Sequence, residues 1–162
     1  MIPEIKTILY ATDLSDNAVH AFSYAATMAN RFGARIHIVH VIESLSQNAG
    51  VQIGQMLGEE KWQAIQAEKA KNVHETIKGR LEAFCEKMKA ELQACPFLVA
   101  DIIVERGEPV ERILNLAATI NSDLIVLGSH GQGIVADAML GSTARRVVRR
   151  STLPVLTVRL PG

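Results

Sequence analysis

The chain has 162 residues, of which 48% are apolar and 21% charged, a globular rather than a disordered composition. Seventeen basic and seventeen acidic side chains cancel to a net charge of zero, which excludes a general electrostatic attraction to nucleic acid or to an anionic membrane. No apolar run reaches the length of a membrane span, and no basic-then-apolar leader opens the chain.

Ile5 to Tyr10, within "IKTILYATD", reads as a short buried strand. From Ser15 a helical pattern begins, with Ala18, Phe22, Ala25, Ala26 and Ala29 recurring every three or four residues. Asp13 or Ser15 would cap this helix and Gly33 would end it. Arg35 to Ile42, "RIHIVHVI", is a second strand rich in β-branched residues. His37 and His40 lie three apart on it, hence on opposite faces, so they are poor joint metal ligands. "ESLSQNAGVQIGQMLG" has three glycines and little periodicity and reads as a loop. A long helix follows, with Ala70, Val73, Ile77, Leu81, Phe84, Met88 and Leu92 on one face. Cys85 and Cys95 show no metal-site spacing and read as reduced thiols of a cytoplasmic protein.

"FLVADIIVE" is the third strand, Gly107 turns the chain, and Pro109 suits the first turn of the next helix. That helix buries Val110, Ile113, Leu114, Ala117 and Ile120. "DLIVLG" is the fourth strand, Ser142 to about Arg150 a short helix, and "LPVLTVRL" the fifth strand. Strands alternating with helices and no linker predict a single α/β domain over residues 1–162. Its centre would be an open five-stranded parallel sheet, doubly wound in the order 3-2-1-4-5, with helices on both faces. In that order strands one and four are neighbours, and the loops leaving them, "ATDLS" and "GSHGQG", meet in one crevice.

The stretch "GSHGQGIVADAMLGSTARR", Gly128 to Arg146, bares its backbone at Gly128, Gly131, Gly133 and Gly141. Missing Cβ atoms permit positive φ and let a ligand approach the main chain. Successive free N–H groups there would form an anion nest. Gly141-Ser142-Thr143 then opens a helix whose first N–H groups have no partner within it. Such a site binds phosphate without a lysine; a tight turn with an ordinary serine cap is the plainer alternative. A P-loop is excluded because no Gly-Lys-Ser/Thr follows. "GQGIVA" fits the loose dinucleotide pattern, but it follows the fourth strand and has no acidic residue about twenty positions on. Arg145, Arg146, Arg149 and Arg150 read as dipole-complementing surface charges.

The spacing Gly128-x2-Gly131-x9-Gly141-Ser142 resembles the ATP-binding signature of the universal stress protein family. "ILYATDLS", "HIVHVIE", "GEPVERIL", "SDLIVLGSHG" and "STLPVLTVR" agree, so the resemblance runs along essentially the whole chain. It implies an ATP-binding stress-response protein. Asp13 and the Ala11-Thr12 backbone would flank ribose and adenine, and Val41 would contact adenine. Gly128, His130, Gly131, Gly133, Gly141, Ser142 and Thr143 would meet ribose and phosphates. Magnesium would be held mostly through phosphate oxygens and water. Asp13 reads equally as a helix cap, Val41 as core, and His130 as a loop histidine.

No catalytic base or nucleophile stands out, so the expectation is binding with absent or slow ATP turnover. A slow ATPase or other ATP-using enzyme, and a nucleotide-free interaction protein, remain the alternatives. The fifth strand, Leu153 to Leu160, reads as an apolar sheet edge. The resemblance implies that it pairs across a two-fold axis in a homodimer, with neither nucleic acid nor membrane as partner.

Overall fold

A computed structural model describes residues 1–87, 98–130 and 140–159, the side chains of Asp16 and Asn17 excepted. Five parallel strands form one sheet: β1 (Thr7–Ala11), β2 (Arg35–Glu43), β3 (Val99–Gly107), β4 (Leu124–Gly128) and β5 (Val155–Val158). Their order is β3-β2-β1-β4-β5, as the alternating pattern predicts.

Side-chain alternation sorts the strands between two cores. Ile8, Tyr10, Ile36 and Ile38 face the helices α1 (Asp16–Phe32) and α3 (Glu59–Lys87), joined there by Phe22, Ala26, Ile77 and Leu81. Leu9, Val39, Ile125 and Leu127 face α4 (Pro109–Thr119) and α5 (Ser142–Arg150), against Val110, Ile113 and Val147. Both faces of a parallel sheet are thus covered, which is why β1 and β4 read as unbroken apolar runs.

The expected helical faces are buried. Ala18, Phe22, Ala25, Ala26 and Ala29 of α1 are no more than 7% exposed. Gly33 closes α1 in a left-handed conformation, with φ of 65°. On α3, Ile77 and Leu81 are buried and Val73 and Phe84 pack against them; Met88 and Leu92 lie outside the described residues.

Two expectations need correction. The glycine-containing stretch after β2 is not a loop: Gln47–Leu57 forms a further helix, α2. Ser46 caps it by accepting from the Ala49 N–H, and Gly58, with φ of 87°, ends it. A Cβ at Gly54 would make only ordinary contacts, 3.4 Å from Glu59 Oε2 and 3.8 Å from Trp62 Cδ1. A pattern search for buried apolar spacing misses α2 because none of its residues is buried. Cys85 is disulfide-bonded, not a reduced thiol. Lack of metal spacing and an assumed compartment do not fix the redox state of a cysteine. Cys95 lies outside the described residues.

Glu108 starts α4 as its N-cap, with Pro109 in the first turn. Its carboxylate accepts from the Glu111 N–H at 2.9 Å and from Arg146 Nη1 of α5 at 2.8 Å, linking the two helices. Desolvation works to raise the Glu108 pKa. The Glu111 hydrogen bond and the Arg146 charge outweigh it and hold the carboxyl below its usual value. A depressed folded-state pKa means stability that is complete above the unfolded value of about 4.3 and is lost as pH falls through the folded value. Glu108→Ala should therefore cost about 1 kcal/mol at pH 7, as lost N-caps do. Urea unfolding should show that difference shrinking below pH 4.

Candidate functional site

Ala11, the last residue of β1, pairs with Val39 on one side and Leu127 on the other. The strand order reverses here, and the chain leaving β1 parts from the chain leaving β4. The Thr12 N–H donates to the Val39 carbonyl at 2.9 Å, and His40 Nδ1 donates to the Thr12 carbonyl at 2.8 Å. Asp13 Oδ1 accepts from both the N–H and the hydroxyl of Ser15, at 2.9 and 2.5 Å. Ser15 in turn caps α1 through the Ala18 N–H. Of the two candidate caps, Ser15 is the cap, and Asp13 braces it while remaining exposed.

Leu14 has φ of 66°, a left-handed conformation that costs a non-glycine residue about 1–2 kcal/mol. Its N–H donates to Thr12 Oγ1 at 3.1 Å, and its carbonyl accepts from Arg80 Nη1 of α3 at 2.6 Å. The Tyr10 hydroxyl beneath the turn donates to the Ala18 carbonyl. Burial raises its pKa well above the usual tyrosine value. Thr12 and Arg80 oppose the rise and Asp13 adds to it, and Tyr10 stays a proton donor throughout the physiological range.

Across the crevice, the Ser129 N–H donates to the Val158 carbonyl at 2.8 Å, and the Ser129 carbonyl accepts from the Gly141 N–H at 2.7 Å. The glycine-rich stretch is thereby pinned where it leaves β4 and where it rejoins α5. Ser129, only 2% exposed, also holds the adjacent ring, with Oγ 2.7 Å from His130 Nδ1. Gly141 is the N-cap of α5, and no side chain caps that helix. Ser142 therefore occupies the first helical position and is not a cap. The α5 N-terminus carries the positive end of its helix dipole, with no side-chain cap on it among the described residues.

Unusual backbone geometry does not account for Gly128 or Gly141. Neither Gly128 nor Gly141 has positive φ. Among the described residues a Cβ built at Gly128 would meet only the His130 carbonyl oxygen, at 3.6 Å, an ordinary contact. Nothing among the described residues requires glycine at 128, which lies beside the open crevice.

That crevice holds about 500 Å³. Ala11, Thr12, Asp13, Val41, Gly128, His130, Gly141, Ser142 and Thr143 all line it, so the fold brings together these residues singled out from sequence. Gly131 and Gly133 lie outside the described residues. Sequence reasoning missed other lining residues, among them the polar His40, Glu43, Lys69 and Ser129. Lys69 is a cation that α3 brings to the crevice. Among the described lining residues none is Arg145, Arg146, Arg149 or Arg150. Arg146 pairs with Glu108, while Arg149 and Arg150 complement the C-terminal dipole of α5.

A model of the universal stress protein family matches residues 4–159. The chain belongs to this family. It is 36% identical over 155 residues to a universal stress protein of Thermus aquaticus, covering 95% of this chain and 98% of the relative. It is 30% identical over 158 residues to universal stress protein MJ0577 of Methanocaldococcus jannaschii, covering 95% and 94% of the two chains. The solved structure of MJ0577 superposes with a TM-score of 0.71 over 99% of each chain. A universal stress protein solved in complex with cAMP shares the fold, with a TM-score of 0.60 at 22% identity over 97% and 98% of the two chains. The five-stranded parallel sheet in the order 3-2-1-4-5 is the fold of these universal stress proteins. No described helix is long and apolar enough to cross a membrane.

Proposed function

We propose that this universal stress protein is an ATP-binding regulatory protein of the stress response, acting in the cytoplasm as a single domain. The observation that carries the reading is a convergence. The uncapped N-terminus of α5, the bare Gly128 and the exposed carboxylate of Asp13 all line one crevice, although Asp13 and Gly128 are far apart in sequence. The free N–H groups at Ser142 and Thr143 suit phosphate oxygens. Asp13 suits a ribose hydroxyl donor. Val41 supplies an apolar surface for adenine. Lys69 adds a charge-assisted contact, and magnesium would enter through the phosphates and water. His130, with Gly131 and Gly133 that the sequence signature adds, would complete the set.

Equilibrium dialysis with labelled ATP and magnesium tests this. Saturable uptake of one ATP per chain below millimolar concentration is the expected result, and no uptake at millimolar ATP defeats the reading. Competition by unlabelled cAMP, the ligand of the solved fold neighbour, separates a preference for the triphosphate from recognition of adenine alone.

The reading includes a homodimer formed through β5. This strand is hydrogen-bonded to β4 on one side and ends the sheet on the other. An apolar, unpaired edge is a surface for strand pairing. The described strand, Val155–Val158, is shorter than the expected Leu153 to Leu160, with Pro154 just before it and Leu160 outside the described residues. Light scattering at micromolar concentration should give twice the chain mass; a monomer's mass contradicts the dimer.

A further inference from the structure

We propose that Arg80 is a positioning residue for the crevice: its guanidinium holds Leu14 in the left-handed turn that presents Asp13 to a nucleotide. The inference rests on the adenine-nucleotide reading above and adds to it a residue outside the crevice.

Leucine has no intrinsic reason to adopt φ of 66°. It has no short polar side chain to bond its own backbone, as asparagine has. A strained conformation persists only where its surroundings hold it, and such residues gather at binding sites. Two groups hold this one. Thr12 Oγ1, from within the loop, accepts the Leu14 N–H, and Arg80 Nη1, from α3, donates to the Leu14 carbonyl at 2.6 Å. The second is charge-assisted and fixes the loop to a different element of the fold.

The turn sends neighbouring side chains in opposite directions. Leu14 packs against the buried cluster that contains Tyr10 and Phe22. Asp13 stays exposed in the crevice, its Oδ1 engaged with Ser15. Beneath the turn lies a cavity of about 50 Å³ lined by Thr12, Leu14, Phe22, Ile77, Arg80 and Phe84. Packing is incomplete on that side, and of the two hydrogen bonds that hold the turn the one from Arg80 is the one that ties it to α3. Arg80 does not line the crevice, and its hydrogen bond goes to the Leu14 carbonyl, so its effect is indirect.

The test compares Arg80→Met and Arg80→Lys in the otherwise unchanged protein and in a Leu14→Gly background. Two quantities are read: the Kd for magnesium-ATP, and amide hydrogen exchange at Leu14 and Ser15 without ligand. Methionine keeps an aliphatic stem on α3 while removing the donor. Arg80→Met should raise the Kd about tenfold, equivalent to about 1.4 kcal/mol, and speed exchange at both amides. Arg80→Lys should recover most of the affinity. With Leu14→Gly, which adopts positive φ freely, the loss caused by Arg80→Met should fall below about threefold. Leu14→Asn serves the same purpose should the glycine variant fail to fold. Unchanged Kd and exchange in Arg80→Met overturn the proposal, as does an equal loss in both backgrounds, the mark of a merely structural arginine. A parent protein that binds no ATP, while Arg80→Met still speeds exchange, defeats the nucleotide reading and retains the clamp on Leu14. Tight ATP binding indifferent to Arg80 does the reverse.

Discussion

Ser142→Asp should weaken ATP binding about a hundredfold, near 3 kcal/mol, while leaving the thermal midpoint unchanged or slightly higher. The two effects have opposite signs because they act on the same dipole. Ser142 is the first residue of α5, exposed, with Gly141 as N-cap and no side chain bonded to the helix end. A carboxylate at that position is favourable for the helix by about 0.3–1 kcal/mol. It would also take the position proposed for phosphate and repel it. Two like charges about 4 Å apart in a partly shielded site interact by about 4 kcal/mol, enough to account for the loss. Ser142→Ala removes only a hydroxyl and should cost less than about tenfold in affinity. Calorimetric titration beside a thermal melt checks both signs. Affinity unaffected by the carboxylate would mean that α5 is not the phosphate end.

Gly128→Ala should leave stability within about 0.5 kcal/mol and weaken ATP binding at least about tenfold. Among the described residues the added Cβ would meet only the His130 carbonyl oxygen, 3.6 Å away, and Gly128 does not have positive φ. The chain therefore tolerates alanine there, and the added methyl group intrudes on whatever lies against the backbone in the crevice. Gly107→Ala provides the contrast. Gly107 has φ of 138°, and a Cβ there would come 2.6 Å from Arg112 Nε. That variant should lose stability and keep its affinity for ATP. The pair separates a glycine needed for the fold from one that serves an open site, and denaturant melts with binding isotherms on the same samples read both.

The sheet was legible because its central strands β1 and β4 are buried on both faces and α1 and α4 each have a clear apolar side. "TILYA" and "LIVLG" could hardly be anything but central strands, and their adjacency puts Asp13 and Gly128 in one crevice. The crevice was legible where its residues stand at strand ends, as Ala11, Val41 and Gly128 do. What escaped detection has no local signature. Lys69 reaches the crevice from α3, and nothing in "QAEKAKNV" distinguishes it from the helix's other exposed lysines. His40 looks like any strand histidine until the Thr12 carbonyl lies 2.8 Å from its ring. The left-handed Leu14 was invisible because leucine is the wrong residue to expect there, and its Arg80 partner sits sixty-six positions along the chain. α2 was hidden by its glycines, which read as punctuation although Gly50 and Gly54 lie one helical turn apart and only Gly58 ends the helix.

The central claim is that backbone amides at the mouth of α5 and the end of β4 hold the phosphates of an adenine nucleotide. An amide-detected NMR titration with magnesium-ATP tests it most directly. The account predicts saturable shifts at Gly128, Gly141, Ser142 and Thr143, with smaller ones at Asp13 and Val41, all following a single Kd. Unmoved amides at Ser142 and Thr143 under saturating ATP, or shifts confined to α2 and the outer face of α3, would contradict it.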